Sequence, residues 1–185
     1  MFHLTRKLMM TVTVAAVLAG TGAGAALAAT SAPAAAAGSS VPRCYTQDLS
    51  AGLRGAESGP GNEAGFILTL TNESQRSCFL DGYPGLGLQD FSHHTLPSHT
   101  FWGPTAFDRD PGRQAIVLSP GETVSASLAF ITGTTKHAVW ASYLTVTPPN
   151  AYHHLVVGPF SRAMAFPVYR GDLYVTAMAR HTPHP

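Results

Sequence analysis

The strongest constraint on the fold is a two-residue alternation of apolar and other side chains that recurs along the chain. In its clearest example, Val124, Ala126, Leu128 and Phe130 alternate with Thr123, Ser125, Ser127 and Ala129. Because successive side chains of a strand point to opposite faces, this pattern predicts a strand with one buried face. Apolar residues at helical spacing do not recur between residues 43 and 180, so we expect no convincing helix there.

Other short segments are rich in β-branched and aromatic residues and are predicted as strands: Phe66–Thr71, Leu86–Gln89, Ala115–Leu118, Ala138–Thr147, His154–Val157 and Leu173–Ala177. Turns rich in Gly and Pro separate them, such as Ser119–Gly121 and Pro148–Asn150. Short strands divided by such turns are typical of two packed antiparallel sheets. The sequence therefore predicts an all-β protein with a single antiparallel β-sandwich.

The N-terminus has the pattern of a secretory signal peptide. Arg6 and Lys7 precede an uncharged run from Leu8 to Leu18, and Ala26–Ala28 offers the small residues that signal peptidase accepts. The run is shorter than the roughly 20 residues of a membrane span, although an uncleaved anchor is the alternative. We expect a signal peptide over residues 1–28 and a secreted, extracellular protein, free or associated with the cell wall.

Composition sets the remaining boundaries. Residues 29–42 are mostly Ala, Ser, Pro and Gly, which bury too little apolar surface to offset their ordering entropy, so we expect a flexible linker. Residues 43–180 have the usual size of one domain and are predicted as the sandwich, and residues 181–185 as a C-terminal tail.

The charge balance excludes two classes of partner. Loss of Arg6 and Lys7 with the signal peptide reduces the 11 basic residues to 9 against 10 acidic ones, a formal net charge of −1. The remaining basic residues are scattered, so we expect no nucleic-acid binding. With no later long apolar segment, we also expect no stable membrane span after cleavage.

The chain has two cysteines, Cys44 and Cys78. In an oxidising compartment, an isolated even pair is most simply a disulfide. Two free thiols or a two-cysteine metal site are the alternatives, but neither cysteine has a His or Cys at the spacing of a zinc finger.

The segment Phe91–Arg113 differs from its surroundings in its length and its mixture of aromatic and polar residues. We expect an excursion from the sandwich, and long loops on a rigid scaffold often carry function. Phe101, Trp102 and Phe107 are the candidate partner-binding residues, because exposed aromatics beside His and Arg suit a sugar or peptide ligand. Alternatively, these rings fold back and cap an open end of the sandwich.

Histidines are the only candidate metal ligands of note. His93, His94 and His99 are weak candidates, and the His153–His154 pair adds little, since adjacent residues of a strand point to opposite faces. Extracellular zinc or copper binding through surface histidines is therefore an alternative function. We predict no native metal site and no cofactor.

Catalytic motifs are also missing from the sequence. No Gly-x-Ser-x-Gly segment exists, and a bridged cysteine pair leaves no thiol nucleophile. A secreted hydrolase of unrecognised type is the second alternative. The favoured prediction is a secreted, non-catalytic module that binds an unidentified extracellular or cell-wall ligand.

Several residues together resemble a known family: Cys44, Leu49, Gly65, Leu70–Asn72, Ser77–Pro84, Leu118–Gly121, Val124–Ala126 and Val146–Pro149. The pattern is similar to the secreted actinobacterial domain of unknown function 4232. This resemblance implies export, an immunoglobulin-like β-sandwich and no established activity. Family members commonly carry a second cysteine pair, whereas the corresponding regions here, Ala138–Ala141 and Pro167–Arg170, have no cysteine; Trp140 and Tyr169 are candidates to fill that space.

Overall fold

A computed structural model of the protein describes residues 40–133, 136–160 and 165–180. The predicted signal peptide, residues 29–39 of the predicted linker and the predicted tail lie outside the described residues. Within the described part, no helix has the length and apolarity needed to cross a membrane. The described elements are two short 3₁₀ helices, Thr46–Asp48 and Pro60–Asn62, and thirteen strands: β1 Leu49–Ser58, β2 Glu63–Asn72, β3 Cys78–Asp81, β4 Gly85–Gln89, β5 Thr95–Leu96, β6 His99–Trp102, β7 Ala115–Leu118, β8 Thr123–Ile131, β9 Ala138–Ala141, β10 Tyr143–Thr147, β11 Leu155–Val157, β12 Phe166–Tyr169 and β13 Asp172–Val175.

The strands form two main sheets and two smaller ribbons. One sheet has the order β1-β2-β8-β13-β6 and the other β11-β10-β4-β5, while β12-β9 and β3-β7 are two-stranded. One buried cluster takes side chains from both main sheets, including Leu68 and Leu128 from the first and Leu88 and Leu144 from the second. Burying one apolar face of each sheet against the other is what defines a sandwich. The predicted all-β sandwich is confirmed.

The strand predicted from the clearest alternating pattern is present, but one of its two faces differs from the prediction. The predicted strand at residues 123–130 is β8, and its apolar face is buried as expected. Ser127 and Ala129 are buried too, although the pattern predicted an open face. The Thr105 hydroxyl lies 2.8 Å from that of Ser127, so the chain before β7 covers this side of the strand.

The predicted single strand Ala138–Thr147 is two strands. It divides at Ser142 into β9, which pairs with β12, and β10, which pairs with β4. The Ser142 N–H donates to the carbonyl of Gln89, the last residue of β4. Composition shows that such a stretch favours strand, but it cannot show that the chain changes partner in the middle.

The segment Phe91–Arg113 is not simply an excursion from the sandwich. Its residues form β5, which pairs with β4 at the edge of one sheet, and β6, which pairs in parallel with β13 at the edge of the other. The Thr100 hydroxyl of β6 also donates to the Leu86 carbonyl of β4. The segment therefore crosses from one main sheet to the other, and its strand pairing places Trp102 at a fixed position.

The Cys44 and Cys78 sulfur atoms lie at disulfide distance, the pairing predicted from the sequence, with Cα atoms 4.8 Å apart. The two regions without the family's second cysteine pair also meet, because β9 and β12 are hydrogen-bonded neighbours with Val139 opposite Val168. Val168 is fully buried there, whereas Trp140 is 51% exposed. The expectation that Trp140 fills the space is therefore wrong.

Candidate functional site

A cleft of about 270 Å³ lies where four chain segments meet: the turn between β3 and β4, the end of β6, the residues just before β7, and the turn after β10. Strand pairing brings them together. β3 pairs with β7 so that Asp81 lies opposite Ala115, which places Arg113 nearby; β4 pairs with β10 so that Gly85 lies opposite Thr147. The cleft is lined by Asp81–Tyr83, Gly85, Trp102, Arg113, Thr147, Pro148, Asn150 and Ala151.

Trp102 forms the aromatic wall of this cleft. Its ring stacks on that of Tyr83, with centroids 5.6 Å apart and planes inclined by 19°. The indole N–H donates to the Pro84 carbonyl at 3.1 Å, yet the side chain is 64% exposed. Trp102 therefore has a fixed position and a large accessible surface, a combination typical of aromatic residues at binding sites.

Tyr83 is held in place by Asp110. The Tyr83 hydroxyl donates to one Asp110 carboxylate oxygen at 2.5 Å, and the other accepts from the Ala177 N–H at 2.9 Å. Because this hydrogen bond favours the protonated phenol, it raises the pKa of Tyr83 above its ordinary value of 10.0. Asp110 thus anchors the ring against which Trp102 stacks.

This contact predicts a spectroscopic result. In an alkaline titration followed at the phenolate absorbance band, Tyr83, identified by comparison with Tyr83→Phe, should ionise above the usual tyrosine range. Asp110→Asn should bring the Tyr83 pKa down toward about 10. The hydrogen bond should also make stability depend on pH. Its stabilising contribution is complete below the pKa of Tyr83 in the unfolded chain and is lost as pH rises through the higher pKa of Tyr83 in the folded protein. An unchanged titration in Asp110→Asn would contradict this assignment.

Asp81 and Arg113 form a two-point ion pair at the rim of the cleft. The Arg113 Nε lies 3.1 Å from both Asp81 carboxylate oxygens, and Nη2 lies 2.9 Å from Oδ2. Hydrogen bonding from Arg113 lowers the pKa of Asp81, and the same contact raises the pKa of Arg113. Both groups are therefore charged at neutral pH, and guanidinium and carboxylate offer donors and acceptors side by side.

Asn150 joins this cleft to a second hollow. Its backbone has a φ of 61°, a left-handed conformation that asparagine tolerates better than most residues. The side-chain amide donates to the Asp81 carbonyl at 3.3 Å, while the Asn150 carbonyl accepts from Arg43 Nη1 at 2.8 Å. Ala151 lines both the cleft and the neighbouring hollow of about 250 Å³.

The second hollow presents two exposed tyrosines with an arginine beside both. The Arg43 guanidinium lies 5.3 Å from the ring centroid of Tyr45 and 5.8 Å from that of Tyr152, distances typical of cation–π contacts. Tyr152 is 88% exposed. We call Arg43, Tyr45 and Tyr152 the tyrosine platform.

The three aromatic residues predicted for partner binding do not share one surface. Phe101 and Trp102 are consecutive residues of β6 and therefore point to opposite faces; Phe101 stacks on Tyr174, with ring centroids 5.1 Å apart. Phe107 is partly buried, and its ring packs so closely over Gly65 that a Cβ there would lie 2.6 Å from it. Of the three, only Trp102 lines the cleft.

The candidate metal-binding histidines have separate partners. His93 lies 3.2 Å from Gln89 and stacks on Tyr143; His94 contacts Asp90 and His99 contacts Asp172. Hydrogen bonding from the His94 backbone N–H is the main reason that the pKa of Asp90 is lowered. Over the described ranges, no group of three or more His, Cys, Asp or Glu side chains is placed to hold a metal ion.

Most residues of the cleft were not singled out from the sequence. In the sequence, Asp81 and Tyr83 stand out only as part of Ser77–Pro84 in the family resemblance, and Arg113 only as the end of a long segment. No spacing pattern in the sequence connects the Asp81–Arg113 pair with Tyr83 and Trp102, because they come from separate segments. The one useful feature of the sequence was the unusual aromatic and charged composition around Trp102, which identified the aromatic wall of the cleft.

A comparison with protein families gives one result that covers most of the chain. A family model described as "Domain of unknown function (DUF4232)" matches residues 44–179. No curated protein and no solved structure matches the chain significantly. The match begins at Cys44, the first disulfide cysteine, and includes every strand from β1 to β13 as well as the cleft. The chain belongs to the DUF4232 family.

Proposed function

We propose that this chain is a secreted, non-catalytic module that binds a cell-envelope or extracellular partner at the cleft beside Trp102. The observation that carries the proposal is the state of Trp102, which is 64% exposed although a ring stack and a hydrogen bond fix its position. Covering an exposed apolar ring with a ligand is favourable because it removes apolar surface from water. Because the side chain is already ordered, a ligand gains contact without ordering it.

The polar groups of the cleft support a binding role over a catalytic one. Asp81 is engaged by Arg113, and Asp110 by Tyr83 and the Ala177 N–H. A general acid at neutral pH needs a raised carboxyl pKa, whereas the pKa of Asp81 is lowered. These contacts hold the side chains in place and leave donors and acceptors at the rim, as a recognition surface requires.

The chain supplies a matched control for the test, because it has two tryptophans and both are exposed. We expect Trp102→Ala to weaken binding to isolated cell envelope by roughly 30-fold or more, the effect of truncating an aromatic hot-spot residue. Trp140→Ala, outside the cleft, should leave binding unchanged. Sedimentation of purified protein with envelope material measures both.

Stability measurements separate loss of a ligand contact from loss of the fold. Trp102→Ala should lower the free energy of unfolding by about 1 kcal/mol or less, since it removes one ring stack and an exposed side chain. A loss of several kcal/mol would identify Trp102 as a packing residue. Equal binding by wild type and Trp102→Ala, or equal losses in the two tryptophan variants, would reject the cleft as the binding site.

A further inference from the structure

We infer that the ligand of this site is a polysaccharide chain, which lies across the Trp102 cleft and the tyrosine platform as one extended surface. This inference rests on the proposed function and assigns its ligand class. The two hollows share Ala151, and Asn150 is bonded to both sides, to Asp81 through its amide and to Arg43 through its carbonyl. An occupant longer than one hollow therefore meets the second without leaving the surface.

The chemistry of the surface matches that of a sugar ring. A pyranose has faces of C–H groups with partial positive charge, which are attracted to the negative face of an aromatic ring. Trp102 offers such a face at one end of the surface and Tyr152 at the other. Aromatic platforms in both hollows suit a ligand that repeats the same chemistry along its length.

The edges of sugar rings carry hydroxyl groups, which donate and accept hydrogen bonds at adjacent carbons. The Asp81–Arg113 pair presents acceptor and donor atoms about 3 Å apart, within reach of two neighbouring hydroxyls. The bidentate contact also fixes both side chains before a ligand arrives. We therefore assign the Asp81–Arg113 pair to the recognition of a vicinal diol.

The charge of the surface argues against other polymers. Arg43 and Arg113 are the basic side chains that line the two hollows and Asp81 is the acidic one, so the surface carries a single net positive charge, too little to attract a nucleic acid or an anionic membrane. The Asp81 carboxylate and the Arg113 guanidinium lie beside the Trp102 ring, so the aromatic surface is interrupted by polar groups and is not a continuous apolar patch. A neutral, hydroxyl-rich chain satisfies both features.

The first test uses cell-envelope material from the organism that makes the protein, divided into untreated, protease-digested and periodate-oxidised portions. Periodate cleaves carbon–carbon bonds between adjacent hydroxyl-bearing carbons, so it destroys vicinal diols and leaves most peptide bonds intact. We expect binding that depends on Trp102 to survive protease and to be lost after periodate. Trp140→Ala is the control in each portion.

The outcomes distinguish the ligand class from the function itself. Trp102-dependent binding that protease removes, or that periodate leaves intact, would overturn the polysaccharide assignment while the binding function stands. Absence of any Trp102-dependent binding to untreated envelope would overturn the proposed function and the inference with it.

The second test examines whether the two hollows act together. In Trp140→Phe, Trp102 is the one remaining tryptophan and its fluorescence reports binding. We expect long polysaccharide fragments, released from the envelope by mild acid and separated by size, to bind more tightly than short ones. Adding Tyr152→Ala should remove this preference, so that long fragments bind no more tightly than short ones. A length preference that persists in Tyr152→Ala would overturn the extended surface.

Discussion

Replacing Cys44 and Cys78 together with serine is expected to lower the free energy of unfolding by about 2–5 kcal/mol, the usual loss for a native bridge in a small secreted domain. The bridge closes a loop with a sequence separation of 34 and both cysteines are buried. It attaches the segment before β1 to β3, beside the hydrogen bonds from Cys44 N–H to the Phe79 carbonyl and from Phe79 N–H to the Pro42 carbonyl.

Urea unfolding without reductant measures this effect, and wild type in reductant provides the control, because it should lose the same stability as the double variant. Thiol titration of unfolded, non-reduced wild type should find no reactive thiol. Two reactive thiols, or a double variant as stable as wild type, would contradict the pairing as a stabilising bridge.

The same variant bears on the binding surface. Arg43 and Tyr45 flank Cys44, and Arg43 reaches Asn150 and Tyr152 from there. Removal of the bridge leaves two backbone hydrogen bonds to attach this segment to β3. Because Arg43 and Tyr45 of the tyrosine platform lie in this segment, we expect the platform to loosen before the Trp102 cleft does. The disulfide thus connects the stability of the fold to the second hollow of the proposed ligand surface.

How much of the fold could be predicted is clear from individual strands. The period of β8 was visible because apolar side chains mark one face of a strand at every second position. β1 was missed because Gly52 and Gly55 interrupt its pattern and lower its strand propensity. Its long pairing with β2, from Leu49 opposite Asn72 to Ser58 opposite Ala64, supplies the ordering that its own residues lack.

The site was harder to predict than the fold for a physical reason. The cleft exists because β3 pairs with β7 and β4 with β10, and the period of one strand does not say which other strand it will pair with. Trp102 could be predicted as a binding residue from the composition of the segment around it, but its partner Tyr83 and the Asp81–Arg113 pair could not. Local composition identified the aromatic wall of the cleft, whereas its other residues are brought there by pairing between strands distant in the sequence.

Asn72 shows what the residues of the family resemblance do in this fold. The side chain is fully buried, and its amide group donates to the carbonyls of Arg76 and Leu118 while its oxygen accepts from the Ser74 N–H and hydroxyl. Its backbone also bonds with Gly121 and Glu122. Asn72 therefore links the turn before β3 to the turn before β8.

Asn72→Ala should lower the free energy of unfolding by about 2–4 kcal/mol, because it removes both donors and the acceptor and leaves buried backbone groups without these partners. Ser74→Ala is the matched control: it removes one hydroxyl at the edge of the same network and should cost about 1 kcal/mol or less. Urea unfolding compares the variants at pH 7. Limited proteolysis should also show earlier cleavage between residues 73 and 77 in Asn72→Ala than in Ser74→Ala.

The result also decides whether Asn72 belongs to the fold or to the binding surface. Its contacts lie in the turns at residues 72–77 and 118–122, whereas Trp102 and the tyrosine platform lie at the cleft and beside the turn after β10. At a denaturant concentration where Asn72→Ala is still folded, envelope binding should therefore equal that of wild type. A stability change within about 0.5 kcal/mol, or a loss of binding by folded Asn72→Ala, would refute this division between the residues that build the fold and those that meet the ligand.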